Sequence, residues 1–137
     1  MKTLGLDRVV IVVKDLDKAA KRYSELLGAS FWDAGVQEKQ GVRAMVSWDG
    51  QVELMSPVSA QSGAAIFLEK KGEGVFGVAW KVKDIDEASA QVTKRGFQIM
   101  ERFDFPDAPG FKLFREIVLH PKETNGIFSI LVQSERE

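Results

Sequence analysis

Cysteine is absent from this chain, histidine and tyrosine occur once each, and there are only four prolines. Without cysteine there is no disulfide framework, no thiolate metal site and no cysteine nucleophile, and the chain suits a reducing compartment. An excess of one charge is missing too: 19 lysines and arginines stand against 20 aspartates and glutamates, a net charge of −1. The signs balance along the whole length, so there is no basic stripe and no electrostatic footprint for nucleic acid. Long hydrophobic runs are also absent. The opening MKTLGLDRVVIVVKD carries an apolar run of one strand's length, too short for a signal h-region with a cleavage site, and no segment is long enough to span a bilayer. The expectation is a cytoplasmic protein with neither a membrane nor a nucleic acid as partner. What is present is ordinary globular material: 137 residues, 45% hydrophobic and 28% charged, enough for a single domain (1–137) whose core needs no staples.

Internal similarity is visible by eye. VKDLDKAAKRYSELLG begins at Val13 and VKDIDEASAQVTKRG at Val82, an offset of 69. In both copies a β-branched apolar run ends in Val-Lys-Asp. An aspartate then occupies the N-cap position of a predicted helix, with an acid in the first turn. Both predicted helices end at a glycine, Gly28 or Gly96. Leu16, Ala19, Ala20, Tyr23, Leu26 and Leu27 line one face of the first helix, and Ile85, Ala88 and Val92 one face of the second. Strand-like runs follow each: ASFWDA, GVRAMVSW and QVELMSP in the first copy, FQIMERF, FKLFREIVLHP and GIFSILVQ in the second. Asp49-Gly50 between alternating segments signals a hairpin. The reading is α+β: two tandem βαβββ modules (4–56 and 74–134), a connector (57–73) with a loop and short helix, and a polar SERE tail that frays. One such module leaves a sheet face uncovered, so two are expected to pair, their mixed sheets forming a cup-shaped half-barrel.

These residues resemble the vicinal oxygen chelate superfamily of glyoxalases, bleomycin-resistance proteins and extradiol dioxygenases, and among them the methylmalonyl-CoA epimerase branch. The stretches that carry the resemblance are LDRVVIVVKDLDKA, QGVRAM, VELMSP, FLEKKGEGVFGVAWKVKDIDEA and HPKETNGIFSILVQ, which together cover most of the chain. The resemblance implies a divalent metal held by the first and last strand of each half, at Arg8, Glu53, Gly77 and Ile130. An epimerase-like chain would carry His, Gln or Glu, His and Glu there; this one keeps only Glu53. Arginine stays cationic, and glycine and isoleucine have no donor atoms. One carboxylate does not make a metal site. The expectation is therefore no metal and no cofactor.

Strand alternation then sets the neighbours that face the cup. With Arg8 inward, Val10 and Val12 are inward; with Glu53, Gln51 and Met55; with Gly77, Ala79; with Ile130, Phe128 and Val132. Val10, Val12, Met55, Ala79, Phe128 and Ile130 are the candidate substrate-binding surface, and Arg8 and Glu53 the candidate catalytic pair. Arg8 and Glu53 read either as a structural ion pair or as a guanidinium doing the metal's electrostatic task beside a general base. His120, in the HPK segment, reads first as a turn-entry residue and is carried as a further substrate-binding candidate. Glu38 and Lys39 stand where the family's EEQGV reads EKQGV, and Glu38 reads as a solvated strand-edge acid. Lys70, Lys71 and Lys122 read as surface lysines, though they suit phosphates. Either Arg115 or Glu116 faces inward, and alternation does not choose between them. FPDAPG reads as a hairpin connection, with a lid over the cup as the alternative. Function follows in two classes. The first is a metal-independent isomerase, epimerase, cyclase or lyase acting on an apolar carbonyl or carboxylate compound. The second is a non-catalytic protein that binds or sequesters an apolar small molecule; a degenerate paralogue serving as a structural or regulatory subunit stands beside these as a third hypothesis. The resemblance also implies a homodimer.

Overall fold

The Val-Lys-Asp segments do end strands and begin helices. In the computed structural model, which describes Met1–Glu137, β1 (Gly5–Val12) runs into α1 (Leu16–Leu27), followed by β2 (Trp32–Gln37), β3 (Val42–Ser47) and β4 (Val52–Pro57). The connector holds α2 (Gly63–Lys71). The second module repeats the order as β5 (Gly74–Lys81), α3 (Ile85–Lys94), β6 (Ile99–Asp104), β7 (Phe111–Leu119) and β8 (Phe128–Arg136). The α+β class and both βαβββ modules are as the sequence reading has them.

Local chemistry starts and stops the helices. Asp15 accepts the Lys18 amide at 3.1 Å, and Asp84 accepts the amides of Asp86 and Glu87 at 2.9 and 3.1 Å, satisfying donors that a helix leaves unpaired. Ser62 caps α2 through the Ala65 amide. Gly28 ends α1 in the left-handed region at φ 64°, whereas α3 ends at Arg95, one residue before Gly96.

The chain divides into two compact units, Arg8–Phe76 and Met1–Asp7 with Gly77–Glu137. In the first, the strand order is β2-β3-β4-β1, with β1 parallel to β4 and the others antiparallel. Ile11, Met45, Val52 and Leu54 pack toward α1 residues Leu16 and Ala20. In the second, the order is β5-β8-β7-β6, again with one parallel pair, β5 with β8. Ile117, Leu119, Leu131 and Val82 pack toward α3 residues Ile85, Ala88 and Val92. The register makes the repeat exact to the residue: Val10 lies opposite Glu53 in one unit, and Ala79 opposite Ile130 in the other.

One local reading changes, and two turns gain detail. The tail does not fray: Ser134, Glu135 and Arg136 pair with Phe114, Leu113 and Phe111, and the Arg136 guanidinium lies 4.6 Å from the Phe111 ring centroid. A cation over an aromatic face, added to ladder bonds, holds the polar residues in the strand. At Asp49-Gly50 it is Gln51, φ 55°, that takes the left-handed conformation. Gly50 is needed for room instead, because a Cβ there would lie 2.9 Å from Ser47 Oγ. The FPDAPG segment is a hairpin connection, closed by Phe105 N–H to Phe114 O and Phe111 N–H to Ala108 O.

Candidate active site

Glu53 and Arg8 come from neighbouring strands of one unit. Since Ile11 and Leu54 point to α1, alternation turns Arg8, Val10 and Val12 on β1, and Glu53 and Met55 on β4, to the face away from that helix. There Arg8 Nε donates to Glu53 Oε1 at 2.7 Å, with side-chain exposures of 5% and 13%. The Arg8 guanidinium carbon also lies 5.9 Å from the Trp48 ring centroid. A charge-assisted bond and an aromatic face are what a buried guanidinium needs to offset lost hydration. No buried side-chain nitrogen or oxygen lacks a partner. Val10, Val12 and Met55 beside the pair are buried. The floor of this unit is apolar around the Arg8–Glu53 pair, as the alternation argument predicts.

The second unit carries the remaining candidates. Ala79 and Ile130 are opposite one another on β5 and β8, and Phe128 is opposite Gly77. All are on the face away from α3. Gly77 has no room for a side chain: a Cβ would lie 2.6 Å from the Phe128 carbonyl oxygen. His120 caps the 3₁₀ turn Pro121–Thr124, its Nδ1 accepting the Lys122 amide at 3.0 Å. Glu38 and Lys39 are exposed in the turn after β2, and Lys70, Lys71 and Lys122 are exposed as well.

The choice between Arg115 and Glu116 is settled here. Arg115 reaches the helix side, where its guanidinium donates to both carboxylate oxygens of Asp86 at 3.0 and 3.1 Å. That bond and the nearby positive charge hold the Asp86 carboxyl below its ordinary value. Glu116 takes the opposite face and is 4% exposed. Across the sheet it lies opposite Phe103 on β6 and Val132 on β8. Sequence alternation missed it because F-R-E-I-V-L places apolar residues in both phases.

Of the four positions that the resemblance assigns to a metal, three present no donor, and the packing at Gly77 leaves no space for one. Nowhere do three or more His, Cys, Asp or Glu side chains converge as a metal-binding group. The residues present do not fit a divalent metal. No helix is long and apolar enough to cross a membrane.

Residues 7–113 match the family described as Glyoxalase/Bleomycin resistance protein/Dioxygenase superfamily. The mitochondrial methylmalonyl-CoA epimerase of Homo sapiens is 31% identical over 132 residues, covering 94% of this chain and 73% of that protein. The crystal structure of methylmalonyl-CoA epimerase from Mycobacterium tuberculosis superposes with a TM-score of 0.84 at 30% identity, covering 96% of this chain and 88% of that one. A methylmalonyl-CoA epimerase in complex with methylmalonyl-CoA and ammonium gives 0.85 at 27% identity, covering 97% and 96%. With the repeat, the register and these likenesses in agreement, the chain belongs to the glyoxalase/bleomycin resistance protein/dioxygenase superfamily, with methylmalonyl-CoA epimerases among its relatives.

Proposed function

We propose that this protein is an acid–base enzyme of the epimerase type that works without a divalent metal, Arg8 stabilising negative charge and Glu53 moving the proton. The observation that carries the reading is the buried 2.7 Å contact between Arg8 and Glu53, at two positions where the resemblance expects metal ligands. A carbon next to a carbonyl becomes acidic when the resulting enolate oxygen meets a fixed positive charge. A guanidinium remains charged at any working pH and presents several donors in a rigid fork. Glu53 beside it is an acceptor for the proton. Val10, Val12 and Met55 in one unit, and Ala79, Phe128 and Ile130 in the other, are the apolar contacts offered to substrate, with His120 as a further contact. The relatives that bind or act on methylmalonyl-CoA make an acyl-CoA thioester with an acidic α-hydrogen the first substrate to try. The reading takes the protein as a cytoplasmic homodimer.

A non-catalytic binding role is the second reading, favoured by the fact that Arg8 and Glu53 neutralise each other. The two separate in one experiment. Purified protein, treated with EDTA, is given one enantiomer of methylmalonyl-CoA, and its interconversion is followed. Catalysis that survives chelation and falls by about 10²- to 10⁴-fold in Glu53→Gln supports the enzyme. Binding without turnover, or turnover that Glu53→Gln leaves intact, removes Glu53 from the mechanism.

A further inference from the structure

Asn125 is the only asparagine in the chain, and a glycine follows it. In an Asn-Gly pair the backbone nitrogen meets the side-chain amide with least hindrance, because glycine has no Cβ to stand in the way. The pair closes the 3₁₀ turn Pro121–Thr124, and both residues are exposed. Asn125 holds the left-handed conformation at φ 65° and ψ 35°, which asparagine accepts at a helix end when glycine is not used. Gly126 follows at φ 93° and donates its N–H to the Pro121 carbonyl at 2.8 Å. Further bonds tie this turn within its own unit. Thr124 Oγ1 donates to the Ile127 carbonyl at 3.0 Å and meets Ser129 Oγ at 2.6 Å, and the Gln98 amide donates to the Glu123 carboxylate at 3.1 Å. A nitrogen whose hydrogen is held by Pro121 is not free to swing about the Asn125 Cα–C bond toward that side chain, and it gives up its proton poorly.

We propose that Asn125 is a deamidation site that the folded turn holds shut and that reacts when the turn opens. The Gly126 nitrogen loses its proton to hydroxide and attacks the Asn125 side-chain carbon. An N–C bond forms, the bond from that carbon to the amide nitrogen breaks, and ammonia leaves with a proton taken from water. Water then opens the cyclic imide at either carbonyl: a C–N bond breaks, a C–O bond forms, and a carboxylate is left. Nothing is oxidised or reduced; water is consumed and ammonia released. Opening at one carbonyl gives aspartate, which keeps the main-chain length and accepts the left-handed conformation. Opening at the other gives isoaspartate, whose extra main-chain methylene moves the Gly126 N–H away from the Pro121 carbonyl. The change is one-way, so its extent records how often this turn has opened. The inference is independent of the epimerase reading.

The test incubates the full-length protein in mildly alkaline buffer, native and in denaturing urea, and follows the tryptic peptide Glu123–Arg136 by mass spectrometry. A gain in mass reports the amide exchanged for a carboxylate, and chromatographic splitting of the peptide reports isoaspartate. Deamidation is expected to be at least about tenfold faster in urea, where no turn has to be opened. Thr124→Val removes the hydroxyl that holds Ile127 and Ser129. Under native conditions it should deamidate about fivefold faster than wild type, while matching it in urea. Its melting temperature reports whether it folds. If it does not, His120→Ala, which removes the bond to the Lys122 amide, takes its place in the same comparison. Native protein that deamidates at the urea rate overturns the gate, and a chain that stays intact in urea overturns the site. A folded Thr124→Val no faster than wild type, or faster by the same factor in urea, shows that the turn is not what protects Asn125 and overturns the inference as well.

Discussion

Arg8 and Glu53 are each costly alone and tolerable together. Removing one partner of a buried ion pair leaves an uncompensated charge, at a cost of about 3–5 kcal/mol, whereas replacing both with apolar residues is often near neutral. Arg8→Leu is therefore expected to destabilise strongly in urea unfolding, and Arg8→Leu with Glu53→Leu to recover most of the loss. Equal and additive losses would show that the two side chains are not coupled. Gly77 makes a second prediction at this scale. Adding a Cβ 2.6 Å from the Phe128 carbonyl oxygen should cost about 1–3 kcal/mol in Gly77→Ala through overpacking. Gly74→Ala, where nothing lies within 4 Å, is the control and should differ little in backbone strain. For the same steric reason Gly77→His does not rebuild a metal site by itself. Much of this was legible in the sequence, because Arg8 and Glu53 sit at phases set by Val-Val-Ile-Val-Val and Val-Glu-Leu-Met. The space around Gly77 was not, because it depends on the backbone of a strand some fifty residues away, as the register of Gly77 with Phe128 shows.

Helix α3 is tied to its sheet by an exposed pair, Asp86 with Arg115, as well as by apolar packing. The hydrogen bond from Arg115, then its charge, lowers the Asp86 carboxyl in the folded state. A carboxyl depressed on folding adds stability above its unfolded value and loses it as pH falls through the folded one. The melting-temperature gap between wild type and Arg115→Gln should thus be present at neutral pH and shrink as pH drops below the ordinary aspartate value of 3.8. Salt should narrow the gap too, since both groups are largely solvated. A gap unchanged with pH would mean Arg115 acts through packing alone. At the helix N-termini, Asp15→Ala should cost about 1 kcal/mol by removing a cap. The caps and Gly28 were readable from local residue types. The Asp49-Gly50 pair marks the hairpin, where the left-handed residue is Gln51 and Gly50 answers to a crowd formed by Ser47 and Ala29. Local signals name the turn, but only packing assigns which residue bends it.

For the whole molecule, the donor set predicts indifference to metal. Exhaustive chelation, followed by added Mn²⁺ or Co²⁺, should leave the melting temperature unchanged, because an ion that binds the native state would raise it by mass action. A rise with added metal, or a stoichiometric ion in the purified protein, would overturn the reading of Arg8, Gly77 and Ile130. The sequence by itself determined the α+β class, the two βαβββ modules, their offset of 69 and the capped helix starts. Those properties rest on periodicity and on contacts between near neighbours, which a linear chain displays. It also displayed, by residue type alone, that Arg8, Gly77 and Ile130 offer no metal donor at positions the resemblance assigns to ligands. Only the tertiary structure decided that Arg8 meets Glu53 at 2.7 Å, that Arg115 turns to α3 and Glu116 away from it, and that the polar tail extends β8. Each of those depends on which side chain a neighbouring strand or helix brings within reach, and β7 is apolar in both phases, so its pattern alone does not choose a face.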